Sequence, residues 1–431
     1  MHQRTWLSLL TFPLVAAFTY PVVVRQASDA PRQEAVAASQ DPLSGLSDIQ
    51  DVLSLVRDNY VDPPDLEKAI SGGIREALER AHPLNSYLSP EDLHLGDPGP
   101  AAVGLRLLKR GIYAHVVAVT PGSAAAKAGI ELGDVVRKID GDSIGVMSAW
   151  TMERRLQGAP GSEISLLRYG AVSGETKKIV LKRELPGHPA ITQRRDPKAT
   201  LLTLTDLDAG RVAELKAILP ALDHHLPLVL DLRNCSGGSL KETAQIAGLF
   251  LGAGSLGAVQ ETGRPDLPLA VVPSGLPAFN RLAVLQGPGT LGPAELLAAA
   301  LKFQKVPVFG ERSAALGVER TRFVLKGGGA AEVVNKRWVG AGGELLGAGG
   351  DKPEAKKAEH KAPASDVPKA PEAGTAKTPA AGYGVVPDHP LKGLKPGDDP
   401  LPKILEGLDA PAKAASLGPL GISRTPHLGW A

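Results

Sequence analysis

The spacing of apolar residues changes along the chain, and each change predicts a different kind of element. From Leu46 onwards apolar residues recur every three or four positions, and a pair of prolines at 63 and 64 interrupts this rhythm before it resumes over residues 66–78. Because helices repeat every 3.6 residues and proline removes a backbone donor, the pattern predicts two helices with a break at the prolines. Ser89, with acidic residues two and three positions later, predicts the start of another helix.

Short β-type runs then replace the helical rhythm. Between residues 103 and 184 four such runs alternate with turns, and residues 123–129 and 147–158 have helical character, which predicts a small β-rich domain with two helices. Residues 199–346 instead alternate apolar strand-like runs with helix-like runs, which predicts parallel strands buried on both faces. The predicted fold class is therefore multidomain α/β.

Residues 6–24 carry no charge and nearly match the length of a membrane-spanning helix, although they contain two prolines. We interpret the stretch as an uncleaved membrane anchor or as a cleaved signal peptide, with a buried core segment as the third interpretation. Either of the first two exports the rest of the chain. We therefore expect a periplasmic or cell-envelope location, with anchoring to the inner membrane.

Residues 349–382 break the alternation, because they are almost entirely Lys, Pro, Ala, Glu and Gly. Such a segment buries too little apolar surface to offset its ordering entropy, which predicts a disordered spacer or a binding segment for an acidic partner. The resulting segments are a leader (1–30), a tether with an N-terminal helical region (31–97), a β-rich domain (98–186), an α/β core (187–348), the insertion (349–382), the end of the core (383–410) and a tail (411–431).

Charge and cysteine content exclude several classes of function. The 48 basic and 46 acidic residues give a net charge of +2, which does not favour nucleic-acid binding. The single cysteine, Cys235, excludes an intramolecular disulfide and a four-cysteine zinc site. The sequence offers no metal-ligand cluster, phosphate-binding loop or cofactor motif, so we expect neither a metal nor a cofactor.

The stretch PGSAAAKAGIELGDVVRKIDGDSI, residues 121–144, has small residues before AGI and then GD and IDG. It strongly resembles a PDZ domain of the bacterial carboxyl-terminal processing, or tail-specific, proteases. The resemblance implies that a peptide C-terminus adds as a strand beside a strand and a helix, while backbone amides of a loop cap its carboxylate. The matching loop places the peptide-binding positions at Val103, Gly104, Leu105 and Arg106.

The resemblance to this family covers residues 46–346 and 383–410 and implies a protease-like α/β core with a ClpP- or crotonase-like strand–helix alternation. LVLDLRNCSGG, residues 228–238, resembles a family segment whose amides help to form an oxyanion hole, and the matching positions are Gly237 and Gly238. Two glycines after a buried strand let the backbone approach a substrate. A tight strand-to-helix turn is the alternative interpretation.

LQGPGTLGPAELLAAAL, residues 285–301, predicts a strand, a turn and a helix, a common place to expose a catalytic hydroxyl next to unpaired N–H groups of the helix start. The family has a Ser-Ala-Ser-Glu turn here, and alignment of its glutamate with Glu295 puts the nucleophile position at Gly292. The position of the family's basic lysine falls on Leu316, and that of its supporting glutamine on Arg320. Glycine cannot form an acyl-enzyme and leucine cannot take a proton, so all three roles are unfilled.

Other residues offer poor substitutes for this chemistry. Thr290 lies two positions from the nucleophile site but has no base, and Ser313 is interpreted as a turn residue. Cys235 needs an electropositive neighbour to become a thiolate, whereas His224 and His225 precede its strand and are expected at the far end. Three further lysines are candidates to approach the site in the fold, although none matches the base position: Lys302, Lys305 and Lys326.

Three hypotheses follow for the function. The first is a pseudoprotease that binds C-terminal peptides of envelope proteins through its PDZ domain and associates with an active protease. The second is an active serine-type endopeptidase with a displaced nucleophile, and the third is a structural envelope protein. Coordinated loss at three positions favours the first and third over the second.

Overall fold

The structure, a computed structural model, describes residues 45–185, 190–273, 279, 281–347, 383–391 and 399–409. The predictions for the leader, the tether up to residue 44, the insertion at 349–382 and the tail at 411–431 lie outside these residues. Within the described ranges, no helix has both the length and the apolar character needed to cross a bilayer.

The N-terminal region is helical, as its apolar rhythm predicts. The chain divides into two compact units, the first ending at Leu66 and the second starting at Glu67. Ser89 forms the predicted helix start, because its hydroxyl accepts the N–H of Asp92 while the Asp92 carboxylate accepts the N–H of Ser89. The elements of this region are α1 (Leu46–Asn59), α2 (Leu66–Ala81), β1 (Ser86–Leu88) and α3 (Pro90–His94).

The region that resembles a PDZ domain is β-rich with two short α-helices, as predicted. Its strands are β2 (Ala101–Ala102), β3 (Leu105–Arg110), β4 (Tyr113–Val119), β5 (Val135–Ile139), β6 (Asp142–Ser143), β7 (Gln157–Gly158), β8 (Glu163–Tyr169) and β9 (Thr176–Lys182). Its helices are α4 (Ala124–Lys127), a 3-10 turn (Ile144–Val146) and α5 (Ala149–Leu156). The main sheet runs β3-β4-β5-β8-β9, so β3 is an edge strand, and α5 packs beside it through Leu105, Met152 and Leu156.

The core alternates strands and helices. Its strands are β10 (Ile191–Asp196), β11 (Ala199–Leu204), β12 (Leu228–Asp231), β13 (Ser255–Glu261), β14 (Leu267–Ala270), β15 (Leu282–Gln286), β16 (Val308–Gly310), β17 (Val318–Val324), β18 (Ala330–Gly340) and β19 (His389–Pro390). Its helices are α6 (Arg211–Ile218), a 3-10 turn (Leu219–Ala221), α7 (Leu240–Leu251), α8 (Pro293–Phe303) and α9 (Leu401–Asp409).

One sheet of the core has the order β10-β11-β12-β15-β16-β19. All of its pairs are parallel except β10 with β11, which confirms the predicted parallel pairing. Both faces are buried: Leu228 and Leu230 of β12 join the cluster that includes α6, α7 and α8, whereas Val229 packs with Leu401 and Ile404 of α9. Successive carboxyl ends of these strands therefore meet at one edge, where the candidate site lies.

A second, antiparallel sheet with the order β1-β18-β13-β14, to which β17 adds through β18, was not expected from the sequence. Its long strand β18 pairs with β17, β13 and the distant β1, where Ser86 lies opposite Glu332. This sheet brings Trp338 of β18 into the cluster that contains α8.

Candidate functional site

The turn between β15 and α8 is a strand-to-helix corner that is buried except at Pro288. Gly292, the residue before the helix, has φ 58° and ψ −117°, a conformation that L side chains rarely adopt. A Cβ placed on Gly292 would lie 3.7 Å from Cζ3 of Trp338, an ordinary contact distance. The position at which the family resemblance puts a nucleophile is thus strained but not filled by neighbouring atoms.

Glu295 brings the predicted nucleophile and base positions together. Its Oε2 accepts the backbone N–H of Gly292 at 3.0 Å and that of Leu316 at 2.9 Å. Its Oε1 accepts the Ser313 hydroxyl at 2.6 Å and the N–H of Ala315 at 2.7 Å. The expectation of an unpaired N–H at this helix start is therefore wrong for Gly292, because the fold uses that donor to hold Glu295.

The Glu295 carboxyl is fully buried in the first turn of α8. Burial raises its pKa to about 7, because removal from water penalises the charged form more than the four hydrogen bonds favour it. Glu295, which the sequence indicated only as an alignment position, is the structural centre of the site. An acidic residue within the otherwise apolar run PAELLAAAL, residues 293–301, was the signal for it.

The predicted oxyanion turn lies beside this corner. The N–H of Leu291 donates to the carbonyl of Cys235 at 3.0 Å, and Ser236 and Leu291 form a parallel bridge. Gly237 and Gly238 have φ values of 120° and 125°, and among the described residues neither donates its N–H to another group. Two donors of the kind that stabilise an oxyanion therefore remain next to Gly292.

Charged residues surround Gly237: Arg106, predicted as a peptide-binding position, and two aspartates that were not identified from the sequence. A Cβ placed there would lie 4.0 Å from Nη2 of Arg106, from Cβ of Asp206 and from Oδ1 of Asp208. Burial and the neighbouring Asp206 raise the pKa of Asp208. Both aspartates follow β11, so their place at the carboxyl end of a parallel strand was the signal that could have found them.

The three hydroxyl or thiol candidates are buried, and the two hydroxyl groups are hydrogen-bonded. Thr290 donates its hydroxyl to the carbonyl of Leu232 at 2.8 Å and accepts the N–H of Gly287 at 3.1 Å. Ser313 is held by Glu295 and has no exposed surface. Burial, and then the nearby aspartates, raise the pKa of the Cys235 thiol, which opposes formation of a thiolate.

The candidate lysines lie away from Gly292. Lys302 is ten residues further along α8, about 15 Å from the helix start, and its ammonium contacts the Val386 carbonyl and Asp388. Lys305 follows the end of that helix, and Lys326 lies in the turn between β17 and β18. The structure therefore brings none of the three to the half-buried side chain of Leu316.

Arg320, at the position of the family's supporting glutamine, contacts two glutamates and a backbone carbonyl. Its guanidinium contacts Glu153 of α5 at 3.1 Å, Glu332 of β18 at 3.4 Å and the carbonyl of Leu84 at 3.5 Å. Glu153 was not identified from the sequence as a partner of Arg320. A cation at this position thus joins the PDZ region to the core.

The predicted peptide-binding loop precedes edge strand β3. Gly104 has φ 78°, and a Cβ there would lie 2.2 Å from Cβ of Ser123, so only glycine fits. Within the described ranges Val103 and Gly104 keep their N–H groups undonated, and β3 pairs with β4 alone. Val103 and Leu105 are buried, whereas Arg106 is exposed. An unpaired strand edge beside α5, referred to below as the peptide groove, is the arrangement that accepts an added strand.

Comparison with protein families identifies both regions. Residues 198–355 match the model of Peptidase family S41, and residues 115–167 match that of the PDZ domain. A probable CtpA-like serine protease of Staphylococcus aureus (strain COL) is 26% identical over 325 residues, which are 72% of this chain and 64% of that protein. The carboxy-terminal processing protease CtpA of Bacillus subtilis (strain 168) is 23% identical over 309 residues, 70% of this chain and 66% of that protein.

The chain therefore spans somewhat less than two thirds of the length of these relatives. Among solved structures, a photosystem II D1 C-terminal processing protease superposes with a TM-score of 0.59 at 22% identity, covering 83% of this chain and 89% of that one. This likeness establishes the shared fold. The two domain matches, the relatives and the fold agree: this chain joins a PDZ domain to a Peptidase family S41 domain and is similar over most of its length to carboxyl-terminal processing proteases.

Proposed function

We propose that this chain binds the C-termini of proteins through its PDZ domain and does not cleave peptide bonds. The observation that carries the proposal is the pair of residues held on Glu295: Gly292 has no side chain, and Leu316 has an apolar one. Serine–lysine hydrolysis needs a hydroxyl and an amine at these two places. The buried, hydrogen-bonded state of Thr290 supports the same conclusion, because its hydroxyl already serves two backbone groups.

The binding half of the proposal is supported by the peptide groove. Among the residues that the structure describes, the loop keeps undonated N–H groups at Val103 and Gly104, and β3 has an unpaired edge beside α5. Backbone donors at such a loop cap a carboxylate, and the strand edge pairs with an extended peptide. We further propose that the ligands are C-terminal peptides of envelope proteins, that the N-terminal segment anchors the exported chain to the inner membrane, and that an active protease is a second partner.

Titration of the purified chain with fluorescent peptides tests the proposal. We expect saturable binding of a peptide with a free C-terminal carboxylate, and at least about ten-fold weaker binding of its amidated form, because the charge-assisted bonds to the loop amides are lost. Gly104→Glu should abolish binding. Incubation with an unfolded protein should give no cleavage.

Two results would overturn the proposal. Cleavage that disappears in Thr290→Val or Cys235→Ala would establish an active endopeptidase with a displaced nucleophile. Absence of peptide binding together with absence of cleavage would leave a structural role in the envelope. A peptide that binds equally well with and without its carboxylate would also contradict recognition by the loop.

A further inference from the structure

Arg320 stands where the family resemblance places a glutamine that supports the catalytic lysine, but it contacts a different part of the molecule. Its Nη2 lies 3.1 Å from Oε2 of Glu153, which is the fifth residue of α5. Its Nη1 lies 3.4 Å from Glu332 and 3.5 Å from the Leu84 carbonyl. One guanidinium therefore links the core sheet, the segment after α2, and the helix that borders the peptide groove.

The start of α5 is also held by β1, outside the PDZ region, and by Lys109 of β3, which in turn pairs with α2. The Trp150 N–H donates to the Ser86 hydroxyl of β1 at 3.1 Å. Lys109, 2% exposed, donates to the carbonyl of Met147 at 2.6 Å and pairs with Glu79 of α2 at 2.7 Å. These contacts fix the first turn of α5, whereas the contact with Arg320 holds it one turn further along.

We infer that Arg320 and Glu153 form a clamp that positions α5, so that the peptide groove is set before a peptide binds; this inference rests on the proposed function of the groove. A peptide that adds to β3 must fit between that strand and α5. A wall that is already fixed loses less conformational freedom on binding than a mobile one, and pre-organisation of this kind raises affinity. Arg320 is then a positioning residue for peptide binding.

The size of the effect follows from the exposure of the pair. The side chains of Arg320 and Glu153 are 26% and 36% exposed, so the clamp is partly screened by water. Partly exposed ion pairs contribute modestly, and we expect about a two- to five-fold change in peptide affinity. Added salt should reduce the difference, because screening weakens the pair.

Two single variants, their double variant and one matched control test the inference. Arg320→Gln removes the cation, Glu153→Gln removes the anion, and the double variant removes both. Arg322→Gln is the control, because Arg322 lies on the same strand and pairs with Glu332 at 2.7 Å without a described contact to the PDZ domain. The measurements are peptide affinity by fluorescence anisotropy, at low and high salt, and amide hydrogen exchange of α5.

We expect both single variants to bind the peptide about two- to five-fold more weakly and to exchange α5 amides faster. The double variant should be no weaker than Arg320→Gln, and Arg322→Gln should match the unaltered chain. Unchanged affinity and unchanged exchange in both single variants would overturn the clamp, as would an equal loss in Arg322→Gln.

Failure of the clamp and failure of the proposed function give different results. If the unaltered chain binds no peptide, the proposed function fails, whereas exchange of α5 still decides the clamp. Faster exchange in Arg320→Gln and Glu153→Gln but not in Arg322→Gln would then support it. Equal exchange in all of these chains would overturn it.

Discussion

Gly104 in the PDZ loop and Gly292 in the core turn are both glycines with positive φ, but they stand in different surroundings. A Cβ on Gly104 would lie 2.2 Å from Cβ of Ser123, so packing requires glycine there. Among the described residues, a Cβ on Gly292 would come within 4 Å of the Trp338 ring alone, at 3.7 Å. Packing therefore requires glycine at the PDZ position, whereas the space around the core position would admit a side chain. The two glycines thus differ in what their surroundings demand, although both have a positive φ.

The largest effect is expected when the three side chains of the family motif are introduced into the core turn. We expect Gly292→Ser combined with Leu316→Lys and Arg320→Gln to cleave an unfolded protein at a rate at least about 100-fold above that of the unaltered chain, because a general base alone contributes about this factor or more. The oxyanion turn and Glu295 already hold both positions in place. Release of fluorescent fragments from a labelled unfolded substrate measures the rate.

The single variants are the controls, because a nucleophile and its base act as a unit. Gly292→Ser alone and Leu316→Lys alone should remain inactive. A triple variant that folds and binds peptide but does not cleave would contradict the view that only side-chain chemistry is missing from the cleft.

The pH dependence of stability should come chiefly from the core cleft. Glu295 has a pKa of about 7 in the folded chain, against 4.5 in the unfolded chain. Below pH 4.5 both states hold the proton and its contribution is complete. As pH rises towards 7 the unfolded chain ionises first, so the free energy of unfolding falls by about 3 kcal/mol and changes little above pH 7.

Urea denaturation between pH 4.5 and 8 measures this fall, and Glu295→Gln should flatten it. Burial also raises the pKa of Glu79 and Asp208, so part of the slope should remain in the variant. The difference between the two curves isolates Glu295. Identical slopes would contradict a buried Glu295 carboxyl whose pKa is raised to about 7.

Alanine variants of the two glycines test directly whether their surroundings differ. Gly104→Ala should lower the free energy of unfolding by about 3 kcal/mol, because it adds an overlap with Ser123 to the strain of a positive φ. Gly292→Ala should lower it by only about 1 kcal/mol, from backbone strain alone. Urea denaturation of both variants checks the ranking, and equal losses would remove the distinction between the two sites.

Local signals in the sequence predicted most of the fold. The helix start at Ser89 and the strand–helix alternation after residue 199 depend on neighbours in the chain, and both are confirmed. The antiparallel sheet was missed because Ser86 pairs with Glu332, a partner far away in sequence, and because polar residues interrupt β18. No local pattern encodes such a pairing.

Only part of the site was predicted, because its remaining contacts also join residues that are far apart in sequence. The resemblance located Gly292 and Leu316, and the fold brings them together. The shared acceptor Glu295 and the pair formed by Arg320 and Glu153 depend on distances between elements that are far apart in sequence. Spacing along one chain does not specify these contacts.

A small effect is also expected at Thr290, whose hydroxyl lies closest in sequence to the nucleophile position. Its hydroxyl donates to the Leu232 carbonyl and accepts the Gly287 N–H. Thr290→Val leaves the buried Gly287 N–H without a partner among the described residues, whereas the Leu232 carbonyl still accepts the N–H of Cys235 at 3.0 Å. We expect the free energy of unfolding to fall by about 1–2 kcal/mol, and peptide binding to stay unchanged. Urea denaturation measures the first and anisotropy the second.

Thr192→Val, on the exposed face of edge strand β10, is the matched control and should change stability by less than about 0.5 kcal/mol. A Thr290→Val variant as stable as this control would mean that the hydroxyl is not needed to tie the turn, and would return Thr290 to the list of candidate nucleophiles. If the free energy of unfolding falls by about 1–2 kcal/mol and peptide binding is intact, the Thr290 hydroxyl has a structural role: it ties the turn before α8 to the segment after β12.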